Sequence, residues 1–209
     1  MSEYDQDAGT APDPWSNSVP DLHRGGDAFG TFLRAFLDLQ NAVSESDPPA
    51  RMWADLAGEA RAWTDRLSAY AVPERDQPAG TRRDLPGRGH PFLLGFVEES
   101  SNDKTVSGTV TFERFHLGGN GAAHGGAIPL LFDEVLGHLA NAGERPRART
   151  ASLTVHYRRI TPIGVPLRVE AVVERQDGRK RWISGRLLDG GALLASAEGL
   201  FVELRPGQP

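Results

Sequence analysis

A glycine-rich run directly before a strongly apolar segment is the first place where this sequence could support chemistry. Residues 118–126 read Gly-Gly-Asn-Gly-Ala-Ala-His-Gly-Gly, and apolar residues recur at helical spacing immediately afterwards. A helix N-terminus has backbone N–H groups without partners and a partial positive charge, and glycine lets a ligand approach that backbone closely. Such a run can bind a phosphate or the oxyanion formed when a substrate carbonyl is attacked, unless it is only a flexible turn.

Other kinds of site need residues that the sequence lacks. A phosphate-loop ATPase has Lys followed by Ser or Thr after the last glycine, and a dinucleotide-binding fold has parallel crossovers. Here Ala127 and Ile128 follow Gly126, and the sequence shows no alternation of strands and helices that would give parallel crossovers. Because there is no cysteine, no Gly-x-Ser-x-Gly motif and no His-x-x-x-His pair, the sequence predicts no thiolate chemistry, no serine triad and no metal site.

An acidic residue within the apolar segment is the second candidate. Asp133 lies seven residues beyond Gly126, and a carboxylate in apolar surroundings becomes a better base. The alternative is that Asp133 or Glu134 simply faces solvent or a salt-bridge partner. At 1.5 Å rise per residue, Asp133 lies about 12 Å along the helix from Gly125. If both act on one substrate carbonyl, they must come from different subunits.

A hydroxyl at the start of the next predicted strand is the third candidate. Thr150 shares a strand face with Ser152 and Thr154, where its hydroxyl could hold an attacking water. Threonine is also an ordinary strand residue, so a purely structural role is the alternative.

Hydrophobic periodicity indicates the elements that must position these residues. Residues 1–26 lack any period and predict a flexible tail, whereas helical spacing over 27–72 predicts an extension of two amphipathic helices. The second of these helices is expected to dock against an apolar surface. Residues 73–90 are rich in proline, glycine and charges, which is typical of a linker. From 91 to 205 the dominant period is two, with a first strand expected over 92–98.

The same pattern predicts the architecture of the 91–205 domain. Two strands precede the apolar helix, which continues to a turn at Ala142-Gly143, and three or four further strands follow it. A mostly antiparallel sheet wrapped around that helix is the simplest way to bury it. The sequence therefore predicts an α+β fold with an N-terminal two-helix extension.

Charge and composition limit the partners. The formal net charge of −5 argues against a nucleic-acid binder, and no apolar run is long enough to span a bilayer, so we expect a soluble cytoplasmic protein. Residues 145–186 contain eleven Lys or Arg and three acids. This local excess suits a small polyanionic ligand, with solvated strand faces as the alternative.

Three motifs in order carry a resemblance to a known family. They are His124-Gly125-Gly126-Ala127-Ile128 through Asp133-Glu134, then Thr150 to Arg159 with Pro162, then Gly178-Arg179-Lys180. Together they resemble the acyl-CoA thioesterases of the PaaI-like hotdog family, with the greatest similarity to long-chain members of the thioesterase superfamily. The resemblance covers about residues 90–204 and keeps both motif order and spacing.

The resemblance implies roles for individual residues. Asp133 would activate water or attack as a nucleophile, the N–H of Gly125 from the other subunit would bind the oxyanion, and Thr150 would position the water. His124 would shape the loop by hydrogen bonds. Gly126 and Asn120 are expected beside the substrate, although many members have their asparagine two residues earlier, where Gly118 stands here.

The resemblance also implies a substrate and an assembly. Acyl-CoA would be the substrate, in fatty acid metabolism. The basic stretch supplies the candidates to meet its phosphates, unless they only solvate the strands: Arg158, Arg159, Arg179, Lys180 and Arg181. No cofactor is expected beyond the coenzyme A of the substrate. A homodimer is expected, with a dimer of dimers, that is a homotetramer, as the alternative.

Two other functions fit the same fold. A hotdog enoyl-CoA hydratase or dehydratase would place a catalytic histidine and acid at different spacings, which the sequence does not show. A non-catalytic protein that binds acyl-CoA would not need Asp133, the double glycine and Thr150 together. Thioester hydrolysis is therefore the favoured prediction.

Overall fold

The computed structural model describes residues 24–205, 207 and 208. The predicted flexible tail over 1–26 therefore lies outside the described residues, except for 24–26. The helices are α1 (Gly26–Glu45), α2 (Ala50–Ser68) and α3 (Ala127–Ala140). The strands are β1 (Val97–Ser101), β2 (Thr105–Thr111), β3 (Leu117–Gly119), β4 (Ala122–Ala123), β5 (Ala148–Tyr157), β6 (Pro166–Asp177), β7 (Lys180–Asp189) and β8 (Ala192–Glu203).

Six of the strands form one antiparallel sheet in the order β1-β2-β6-β7-β8-β5. The sheet packs around α3, and the buried side chains of the helix and of the inner sheet face form one core. Among the described strands, β5 pairs with β8 alone and is an edge of the sheet. This architecture confirms the predicted α+β fold with a two-helix extension.

Small residues in the sheet allow α3 to approach it closely. A Cβ atom on Gly185 would lie 3.0 Å from the side chains of Phe132 and Leu136, and one on Gly199 would lie 2.7 Å from the Phe201 ring. Because most of the helix circumference is covered, Asp133 is one of only two exposed positions of α3. The fold thus leaves an acid on the open side of a buried helix.

The first strand begins later than predicted. The expected strand over 92–98 is wrong for residues 92–96, because β1 starts at Val97. Residues 92–96 are apolar because some of their side chains pack into the core, although they form no strand. Leu94 is buried in the core, and the ring of Phe96 packs where a Cβ on Gly108 would lie, 2.8 Å away.

The second N-terminal helix does not dock as predicted within the protomer. No residue of α2 is buried, and Trp63 and Leu67 on its apolar stripe are 42% and 60% exposed. Helix α1, in contrast, packs on the turn Arg114–His116. Among the described residues, no helix is long and apolar enough to cross a membrane.

Candidate active site

The turn before α3 leaves one backbone amide uncommitted. The Nδ1 atom of His124 accepts the Gly126 N–H at 3.0 Å, and the His124 carbonyl accepts the Ala127 N–H at 2.9 Å. Within residues 24–205, the Gly125 N–H donates no hydrogen bond. His124 therefore occupies the neighbouring amides and leaves that of Gly125 available to a ligand at the positive end of the helix.

The carbonyl of Gly125 is also fixed. The hydroxyl of Tyr157, the last residue of β5, donates to the Gly125 oxygen at 2.8 Å. The 125–126 peptide is thus held at its oxygen by Tyr157 and at its N–H by His124. A Cβ on Gly126 would lie 3.2 Å from His124 Nδ1, so glycine permits this close approach.

Backbone hydrogen bonds fix the end of the β3–β4 hairpin, from which the turn continues. The His124 N–H donates to the carbonyl of His116 at 2.6 Å, and the Ala123 N–H donates to Thr161 at 2.8 Å. Burial lowers the pKa of His116, while the Glu113 carboxylate opposes that shift. A neutral ring can accept the Glu113 N–H at Nδ1, as observed at 2.9 Å.

Asp133 and Thr150 meet on the open side of α3. The Thr150 hydroxyl donates to Oδ1 of Asp133 at 2.8 Å. A β-bulge between Thr150 and Ser152 interrupts the pairing of β5 with β8 at this point, and bulges re-aim side chains in this way. The sequence left open whether Asp133 has apolar surroundings or faces solvent, and in the protomer this side chain is exposed.

Comparisons with known proteins relate this chain to thioesterases. Residues 120–191 match the thioesterase superfamily. A Pseudomonas aeruginosa protein, PA0474, provisionally named an esterase, is 31% identical over 132 residues, which cover 62% of this chain and 96% of that protein.

The chain belongs to the thioesterase superfamily.

Two further comparisons extend this assignment. The crystal structure of RHA08564, a thioesterase superfamily protein, superimposes with a TM-score of 0.73 at 28% identity over 85% of this chain and 96% of that one. The mouse (Mus musculus) acyl-coenzyme A thioesterase THEM4 is 31% identical over 121 residues, 56% of this chain. This chain matches about half of the length of THEM4, 52%. The predicted resemblance is confirmed, and so, at the level of the family, is the expectation of a thioester hydrolase.

The basic residues of this superfamily member form two groups, not one. Arg158 and Arg159 follow Tyr157, which pairs with Ala195, whereas Lys180 pairs with Val202. Seven residues of β8 separate these pairings, which is about 23 Å along a strand. One protomer therefore brings the Arg158 pair near the Gly125 turn and places Arg179 and Lys180 at the opposite end of the sheet.

Arg181 is not available to a ligand, and its prediction as a phosphate contact is wrong. Its side chain is 0% exposed, with Nη1 donating to the carbonyls of Ala140 at 2.7 Å and Pro146 at 3.0 Å. Glu203 lies 3.4 Å from Nη2. Arg181 thus satisfies a carbonyl at the C-terminal end of α3, where a cation is favoured, and burial lowers its pKa.

Asn120 lies at the exposed tip of the hairpin between β3 and β4. Its backbone is left-handed, with φ of 50°, between Gly119 and Gly121. Asparagine tolerates this conformation better than most residues, which explains its presence in the turn. No described side chain contacts it through a hydrogen bond, so its predicted place beside the substrate stays a prediction.

Proposed function

We propose that this chain hydrolyses an acyl-CoA thioester to a free acid and coenzyme A. The observation that carries the proposal is the arrangement around α3. An uncommitted amide lies at the N-terminal end of the helix, and a carboxylate oriented by a threonine hydroxyl lies on its open side. The name of the mouse relative, an acyl-coenzyme A thioesterase, supports coenzyme A as the thiol of the substrate.

The reaction needs few protein groups. The Gly125 N–H stabilises the oxyanion that develops on the thioester carbonyl. Asp133 takes a proton from water as the water oxygen bonds to the carbonyl carbon, or its carboxylate attacks that carbon directly. The C–S bond then breaks, and the coenzyme A thiolate leaves without a strong general acid. If Asp133 has attacked directly, water then hydrolyses the acyl–Asp133 anhydride, which releases the free acid and restores the carboxylate. Thr150 fixes Oδ1 of Asp133, which leaves Oδ2 to face the water. No cofactor beyond the substrate's coenzyme A takes part.

The proposed site needs two copies of the chain. Helix α3 begins at Ala127, so Gly125 lies before its first turn and Asp133 near its middle, about 12 Å apart along the axis. Strand β5 is a ten-residue edge that is largely exposed, and an open edge of that length favours pairing with another strand. Pairing of β5 with β5 of the partner would cover Asp133 with a second protomer.

The shared site predicts the assembly of the active protein. We expect sedimentation velocity to show at least a homodimer at assay concentrations, with a dimer of dimers also consistent. A strictly monomeric species with full activity would contradict the shared site, because one protomer does not bring Gly125 to Asp133.

Loss of the Tyr157 hydroxyl should weaken catalysis more than binding. In Tyr157→Phe the Gly125 carbonyl loses the hydrogen bond that helps to orient the turn, so we expect kcat to fall about 5- to 50-fold with KM changed less. Steady-state kinetics measures both values. The matched control is Tyr70→Phe, which removes a hydroxyl from a residue that is 80% exposed, and it should match wild type. Equal kinetics in the two variants would argue against this role.

In a dimer, basic residues of both protomers can contact the phosphates of coenzyme A. Arg158 and Arg159 lie at the same end of the sheet as the Gly125 turn of their own protomer, and we propose that they contact the phosphates of the substrate. Arg179 and Lys180 would act from the partner. The expected cytoplasmic location and role in fatty acid metabolism stay predictions.

Release of free thiol from acyl-CoA tests the proposed function. A series with acyl groups of graded length should show release of coenzyme A thiol and name the preferred chain. Binding of acyl-CoA without thiol release would identify a non-catalytic binding protein. Addition of water to an enoyl-CoA without thiol release would identify a hydratase.

A further inference from the structure

We propose that Arg88 is a positioning residue that holds the catalytic helix through Glu134, the neighbour of Asp133. The proposal rests on the function proposed above. Arg88 lies outside residues 120–191, the part of the chain that matches the thioesterase superfamily. It therefore gives the N-terminal extension and its linker a role in the active site.

The contact between Arg88 and Glu134 is bidentate. Nε of Arg88 lies 2.6 Å from Oε1 of Glu134, and Nη2 lies 2.9 Å from Oε2. The Glu134 side chain is 21% exposed, so water screens the pair incompletely. Two parallel hydrogen bonds fix the orientation of the two groups as well as their distance. The pair thus restricts rotation and sliding of α3 next to Asp133.

The backbone around Arg88 is held in an unfavourable conformation. Arg88 has φ of 55°, between Gly87 at 59° and Gly89 at 70°, a left-handed region that side chains other than glycine rarely adopt. The flanking glycines are closely packed. A Cβ on Gly87 would lie 3.0 Å from the Leu93 carbonyl, and one on Gly89 would lie 3.0 Å from the Phe29 ring. Surrounding structure therefore imposes the conformation that directs the Arg88 side chain to α3.

A second arginine anchors this segment to α1. Arg82 is buried and binds both carboxylate oxygens of Asp84, at 2.8 and 2.7 Å. Its Nη1 also donates to the Arg24 and Gly26 carbonyls at the start of α1, at 2.6 and 3.0 Å. The contacts run from α1 through Arg82 and the strained turn to Arg88, and from there to the helix that carries Asp133.

The position of Glu134 explains why its pair with Arg88 affects catalysis. Glu134 follows Asp133 directly on α3, so a rotation or shift of the helix that breaks the Arg88–Glu134 contact also moves the Asp133 carboxylate relative to Thr150. Other groups near this face are already engaged, since His138 pairs with Glu98 at 2.8 Å. Arg88 also neutralises a carboxylate immediately beside Asp133.

A double-mutant cycle tests the pair. Arg88→Met keeps much of the length of the side chain but removes its two hydrogen bonds to Glu134. Glu134→Gln is nearly isosteric and keeps the packing. We expect each variant to lower kcat for acyl-CoA about tenfold with KM changed less than about twofold, because the substrate still binds but the base is misplaced. The double variant should lose no more than Arg88→Met alone, since both changes break one interaction.

The controls separate positioning from folding. Arg186→Met removes a surface pair with Glu170, 2.7 Å apart, and should leave kcat unchanged. Circular dichroism should show folded variants, and if Arg88→Met fails to fold, Glu134→Gln decides alone. A kcat of wild-type size in Glu134→Gln, or losses that multiply in the double variant, would overturn the proposal. A wild-type protein that releases no thiol would instead refute the proposed function.

Discussion

The Asp133→Asn variant is expected to hydrolyse acyl-CoA about 10²- to 10⁴-fold more slowly than wild type, the range for loss of a positioned base. The amide keeps the size of the side chain and can still accept the Thr150 hydrogen bond through its oxygen. It cannot take a proton from water or form a covalent acyl intermediate. The expected change therefore lies in kcat, measured by thiol release, with KM nearly constant.

The variant should remain folded because Asp133 is exposed in the protomer, and surface substitutions usually change stability by less than about 0.5 kcal/mol. Asp65→Asn, an exposed acid on α2, is the matched control and should keep full activity. Activity of wild-type size in Asp133→Asn would reject the assignment of this residue.

The Gly125→Pro variant should lose about 10²- to 10³-fold in kcat, the usual cost of one oxyanion donor. Proline has no N–H, so the substitution deletes the single amide of the turn that His124 does not engage. The amides of Gly126 and Ala127 stay bound to His124 and cannot replace it.

Gly125→Ala provides the steric control. It retains the N–H, and its Cβ would meet only the Tyr157 hydroxyl oxygen within the described structure, at 3.9 Å, which is an ordinary contact. We expect the alanine variant to stay within about threefold of wild type. Equal loss in both variants would show that the turn tolerates no side chain, and the oxyanion assignment would then lose its support.

Local patterns predicted the central elements well, because helix α3 and the strands around it are strongly periodic. The 3.6-residue spacing from Ile128 to Ala140 identifies a buried helix. The spacing of Asp133 and Thr150 could not show that they touch, but it placed them on consecutive elements, and the structure brings them to 2.8 Å.

Contacts between distant segments were beyond the reach of the sequence. Tyr157 is 54% exposed and resembles any strand residue until its hydroxyl is seen on Gly125. Arg88 and Glu134 are 46 residues apart, and only the fold shows that they meet. Arg181 had the charge of a phosphate ligand, but its burial depends on the path of the chain around the end of α3. Charge and periodicity indicate local structure, whereas tertiary packing decides which distant side chains meet.

A mixed dimer of two inactive variants tests the shared site most directly. Asp133→Asn and Gly125→Pro chains, carrying different affinity tags and expressed together, can be purified as dimers that contain one copy of each. In such a dimer, one site combines an intact Gly125 from one chain with an intact Asp133 from the other. The account predicts about half the thiol-release activity of the wild-type dimer, since one of two symmetric sites is restored. Activity no higher than that of the two parent variants would contradict it, because a site built within a single chain gains nothing from mixing.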